Sequence, residues 1–110
     1  MIRLTILYNL PPGDDEEAFL AWRLGEHQAQ NAGSPGVIRT DFGRVDEMWS
    51  FSDGLAKPPY RFMTIVDFVD RAAMEEAFLS EAAQEQLRKD AKAIDSPLFL
   101  ISEVLVATEP

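Results

Sequence analysis

Two short stretches of this chain recur at one fixed offset. Leu4-Thr5-Ile6-Leu7 returns in kind as Met63-Thr64-Ile65-Val66, and Glu16-Glu17-Ala18-Phe19-Leu20 returns identically as Glu75-Glu76-Ala77-Phe78-Leu79. The shifts run from 4 to 63 and from 16 to 75, an offset of 59 in both cases. Two matches in register, one in a strand-like and one in a helix-like segment, point to two β-α-β halves. Folded together they make a split β-α-β, ferredoxin-like α+β domain: a four-stranded antiparallel sheet with two helices on one face.

The segments between the repeats fit that order. Residues 2 to 9 alternate Ile2, Leu4, Ile6, Tyr8 against Arg3, Thr5, Leu7, Asn9, the period of a strand. Pro11-Pro12-Gly13 ends it. Asp14 and Glu17 have the spacing of a capping box, and Gly33-Ser34-Pro35-Gly36 stops the helix they open. Val37 to Phe51 reads as a long strand with Gly43 as a bulge, and Ser52 to Pro59 as a loop. Tyr60 to Val69 is nearly continuous in apolar residues, as a central strand would be. Asp70 and Ser80 are caps for the second helical region, Pro97 ends that region, and Leu98 to Ala107 forms the last strand. The chain of 110 residues is expected to be a single domain, 1–110.

The repeat also isolates what differs between the halves. Trp22 aligns with Glu81 and His27, the chain's one histidine, with Gln86. The second helix therefore reads as scaffold, and the first as scaffold plus a site. On a regular helix Trp22 and His27 would lie roughly 140° apart, sharing a face only if Gly25 lets the helix deform between them. A histidine exchanges protons near neutral pH, and Glu26, Tyr8, Tyr60 or Asp41 could orient it or work beside it. As an alternative, His27 merely offsets the negative end of the helix dipole. Trp22 and Trp49 could line an aromatic pocket or belong to the core.

Composition removes several function classes. Nineteen acidic against ten scattered basic residues, net charge −9, disfavour nucleic acid and anionic membrane as partners. Without cysteine there is no thiolate nucleophile, disulfide or zinc-thiolate site. Capping explains the acidic run Asp14 to Glu17, so no metal is expected there. No stretch approaches the ~20 apolar residues of a membrane span, and a soluble cytoplasmic protein is expected. The strands are apolar on both sides, so the sheet face turned away from the helices should be covered by a second copy, giving a homodimer. Asp67 and Glu103 within strands would then need partners, with Arg39, Arg44 and Arg61 as candidates.

Trp22-x-x-x-Glu26-His27, Ser34-Pro35-Gly36 opening a strand, Tyr60 to Asp70 leading into the second helix, and Glu103 in the last strand together resemble the EthD-type family of dimeric α/β barrel proteins. Gln28-Ala29-Gln30 stands where that pattern has a proline soon after the histidine. The resemblance implies a cofactor-free protein of a degradative or polyketide-type pathway, with a pocket between sheet and helices. The implied activity is monooxygenase-, cyclase- or isomerase-like, on a small apolar, aromatic or enolisable molecule with His27 as general base. The alternatives are a non-catalytic small-molecule binding barrel and a structural or stress-type dimeric barrel with a filled interior.

Overall fold

In the computed structural model of the chain, the two repeated tetrapeptides face one another. Strand β1 (Ile2–Asn9) pairs antiparallel with β5 (Phe62–Phe68), in the register Leu4↔Val66, Thr5↔Ile65, Ile6↔Thr64 and Leu7↔Met63. They form the centre of a four-stranded sheet ordered β2-β5-β1-β6, with β2 (Val37–Arg44) and β6 (Asp95–Glu103) at its edges. The structure describes residues 1–109, and the side chains of Glu26, Asn31 and Ala32 lie outside that description. The fold is the ferredoxin-like α+β arrangement, with its helices on one face of the sheet.

The first helical region comprises α1 (Glu16–Trp22), a π-helical turn (Arg23–His27) and α2 (Gln28–Ala32). Its cap is Asp15, which accepts from the N–H groups of Glu17 and Ala18. The Asp14 N–H is already used in a turn to the Pro11 carbonyl, so the helix starts one residue later than the capping-box spacing suggests. The second region comprises α3 (Arg71–Met74), a π-helical turn (Glu75–Leu79) and α4 (Glu81–Asp90). Asp70 caps α3 through the Ala73 N–H and Ser80 caps α4 through the Ala83 N–H, both as the sequence indicates.

Other expectations shift. The long second strand breaks after Arg44, and its remainder, β3 (Met48–Ser50), pairs with β4 (Gly54–Ala56) in a separate two-stranded ribbon. Gly43 pairs in register with Met63, and the irregularity falls at Val37 to Arg39 instead. Pro97 lies inside the last strand, not before it. An edge strand tolerates a residue without an N–H, and the register shift opposite Leu7 to Asn9, with Ser96 at φ +50°, accommodates it.

Alternation sorts the strand residues into two layers. Leu4, Val66, Phe68 and Met74 form one buried cluster and Tyr8, Phe19 and Phe62 a second, both between sheet and helices. The opposite face carries Thr5, Leu7, Met63, Ile65, Leu98 and Leu100, the last two 41% and 46% exposed. On that same face buried Asp67 is held by Arg3 through two hydrogen bonds of 2.7 and 3.0 Å. Its partner is thus the residue directly opposite on β1, not Arg39, Arg44 or Arg61. Arg39 pairs with Asp41 and Arg61 with Glu16, while Glu103 is exposed.

Candidate functional site

Between the two core clusters the helices stand apart and leave a cavity of about 360 Å³. Its floor is the helix-facing side of the sheet, with Leu4, Ile6, Tyr8, Thr64, Val66 and Phe99, and its walls come from both helical regions. Most of the lining is apolar. The polar groups are few and convergent, the pattern of a small-molecule site.

Gly25, inside the π-helical turn, has φ −92° and ψ −105°, far from helical values. The kink brings together residues that a regular helix would separate. The Trp22 and His27 rings stack with centroids 4.4 Å apart and an interplanar angle of 29°. Trp22 is 39% exposed and His27 half-buried, which puts the pair at the rim, and both line the cavity. Burial, and then the positive charge of Arg23, hold the His27 pKa below its usual 6.5, while Asp90 on α4 opposes them. The imidazole is therefore neutral at neutral pH, the form that accepts a proton.

Arg23, one turn before His27, is 2% exposed. Its guanidinium donates to Gln28 Oε1 at 2.5 Å and Thr64 Oγ1 at 3.3 Å, and its Cζ lies 4.4 Å from the centre of the Phe42 ring. Thr64 Oγ1 in turn shares a 3.1 Å hydrogen bond with the Tyr8 hydroxyl. A strand hydroxyl thus links the buried cation to a phenol on the cavity floor. Burial lowers the Arg23 pKa, with the Tyr8 hydroxyl acting in the other direction.

Of the residues singled out from sequence, the structure brings His27, Trp22 and Tyr8 to the cavity. Tyr60 precedes β5 and is not among the lining residues, and the Glu26 side chain lies outside the described residues. Asp41 sits on the other face of the sheet beside Arg39, 3.0 Å away, so sheet alternation separates it from the histidine. Trp49 is 60% exposed on the β3-β4 ribbon, packed edge-on against Phe51. Sequence reading missed Arg23, Thr64, Gln86 and Asp90, all of which line the cavity. Signals for them existed. Arg23 precedes His27 by four residues, Thr64 is a lone hydroxyl in an apolar strand, and Gln86 is the repeat counterpart of His27.

Among the described residues no group of three His, Asp or Glu side chains is placed to hold a metal ion. No helix among them is long and apolar enough to cross a membrane.

A four-stranded antiparallel sheet with its helices on one face, and a cavity between the two layers, places the protein in the ferredoxin-like class. Within that class residues 2–105 match the family described as REDY-like protein HapK, and the chain belongs to that family. HapK from Hahella chejuensis superposes with a TM-score of 0.70 at 18% identity, covering 100% of this chain and 98% of that one. An EthD family protein from Bacillus halodurans gives 0.71 at 19%, covering 96% and 99%. SnoaB, a cofactor-independent oxygenase from Streptomyces nogalater, gives 0.65 at 11%, covering 96% and 94%. At these identities the structural matches speak for the fold alone. No match was found among curated protein sequences.

Proposed function

We propose that the protein is a small cofactor-free enzyme, with His27 as the general base toward an aromatic, enolisable substrate held in the cavity between sheet and helices. The observation that carries this reading is the His27 imidazole itself. It is kept neutral by burial and by Arg23, stacked on Trp22, and set on the wall of a largely apolar cavity.

The step supported is proton abstraction. His27 takes a proton from a C–H or O–H acid of the substrate, leaving an enolate or phenolate and an imidazolium. Asp90 favours the imidazolium by charge, and Arg23 favours the new oxyanion. Ring closure, isomerisation or attack on oxygen can each start from that anion, so the choice among cyclase-, isomerase- and monooxygenase-like outcomes lies downstream. SnoaB, which shares the fold, is described as a cofactor-independent oxygenase, so the fold is compatible with the oxygenation branch.

The working unit of this reading is a homodimer of two single-domain chains, with sheets packed through the face that carries Leu7, Leu98 and Leu100. An apolar sheet face without a cover is an association surface, and its charges are already paired.

The test is exchange of α-tetralone protons with heavy water, followed by NMR, because exchange reports proton abstraction whatever chemistry comes next. Wild-type protein should accelerate exchange, and His27→Gln should lose about 10²–10⁴-fold of that acceleration with the fold intact. Binding of α-tetralone without exchange would mark a carrier and end the enzyme reading.

A further inference from the structure

Proton abstraction by His27 asks of the buried Arg23 only that it favour the new oxyanion. A guanidinium has five N–H donors in a planar fork, and its charge is costly to bury without a counter-ion. Arg23 is 2% exposed, yet its hydrogen-bond partners are the neutral Gln28 and Thr64. Among the described residues no carboxylate forms an ion pair with it, although Arg3, Arg39, Arg61 and Arg71 all have one. Among the described residues, then, this cation on the cavity wall is held by neutral groups alone, in a chain of net charge −9.

We infer that Arg23 is the receptor for a carboxylate on the ligand, so that the cavity takes an apolar aromatic carboxylic acid in its anionic form. This deepens the substrate-site reading of the cavity and rests on it. The guanidinium fork matches a carboxylate in two parallel hydrogen bonds, a geometry a lysine would not offer. Tyr8 and Thr64, already joined at 3.1 Å, supply hydroxyls beside it. Phe19, Trp22, Phe78 and Phe99 give the remaining cavity the surface an aromatic body needs. Asp90, on the other helical wall, repels an anion placed there, so the acid group is directed to Arg23.

The test compares naphthalene carboxylate with naphthalene carboxamide, nearly equal in shape and different in charge, by calorimetric titration of the wild-type protein. The carboxylate should bind about 10- to 100-fold more tightly, the worth of a charge-assisted hydrogen bond. That preference should vanish in Arg23→Gln and survive in part in Arg23→Lys. Equal affinity for the two probes overturns the inference and leaves the cavity as a site for neutral molecules. Failure of both to bind overturns the substrate-site reading, and the inference with it.

If Arg23→Gln does not fold, wild-type protein still decides. Arg23 and Asp90 are the charges that act on His27, and neutralising Arg23 removes the one that disfavours the imidazolium. An NMR titration of His27 should move to higher pH with the carboxylate bound and stay in place with the carboxamide. No movement with bound carboxylate overturns the inference.

Discussion

The rings of Trp22 and His27 stack 4.4 Å apart across the kink that Gly25 puts in the first helical region. The backbone at Gly25 makes this contact, and the side chains only complete it. Adding a methyl at Gly25 meets nothing within 4 Å, so Gly25→Ala should fold normally. Alanine favours regular helix over glycine by about 1 kcal/mol, which biases the segment back toward the arrangement that separates the two rings. The expected outcome is unchanged or higher thermal stability with loss of the Trp22–His27 stack. Ring-current shifts of the His27 protons measure it.

The lowered pKa of His27 has an optical readout. Protonated imidazole quenches a stacked indole more strongly than neutral imidazole does. In a Trp49→Phe background, which leaves Trp22 as the sole tryptophan, fluorescence should fall on acidification with a midpoint below 6.5. His27→Asn should abolish that titration. A midpoint at or above 6.5 would contradict the burial and Arg23 effects assigned to the site.

The same shift sets a sign for stability. With the folded-state pKa below the unfolded value, the unfolded chain binds the proton first as pH falls. The contribution of neutral His27 is therefore fully present above about pH 6.5 and is lost as pH drops through that value toward the folded pKa. Urea midpoints of wild type should fall more steeply than those of His27→Asn between about pH 7.5 and about pH 5.5. Parallel lines would show that His27 titrates alike in both states.

Gly36 is where the first half of the fold touches the second. It stands at φ +79°, its carbonyl accepts from the Val69 N–H, and a Cβ added there would lie 2.5 Å from the Ala73 Cβ. Left-handed backbone costs an alanine about 1–2 kcal/mol and the overlap another 1–3 kcal/mol, so Gly36→Ala should destabilise by about 2–5 kcal/mol. The double variant Gly36→Ala, Ala73→Gly should recover the overlap part and keep the backbone part, with up to about 1 kcal/mol added for glycine within α3. Denaturant unfolding of the three proteins separates the two.

The repeat, the strand alternation and the caps at Asp70 and Ser80 were legible because each depends on residues close in sequence, or on a pattern each segment states by itself. The repeat told more than strand positions, since its two tetrapeptides prove to be cross-strand partners. What escaped depends on backbone detail or on contacts between distant segments. A kink at Gly25 overrode the angular spacing of Trp22 and His27, a register shift made room for Pro97, and the register of β1 against β5 gave Asp67 to Arg3. Arg23 escaped because an arginine on an amphipathic helix ordinarily faces water. Its burial follows from Thr64 and Phe42 on two strands distant in sequence, and no local pattern encodes those contacts.

The sheet face turned from the helices supplies the last prediction. Leu98 and Leu100 stand exposed on an edge strand, opposite Leu7 and Thr5 of β1 and in line with Ile65 of β5. In a twofold dimer each residue is used twice, so one substitution perturbs two positions. Leu100 is already about half covered in the single chain, so losing its two copies costs about 1.5–3 kcal/mol of association energy, before the penalty for confining two ammonium groups. Leu100→Lys should therefore sediment as a monomer at concentrations where wild type is dimeric, with unchanged circular dichroism because the residue touches neither core cluster. A wild-type chain that sediments as a monomer would sink the dimer itself. Exchange activity that persists in the Leu100→Lys monomer would show that one chain holds the whole site, as expected of a cavity lined by residues of a single chain.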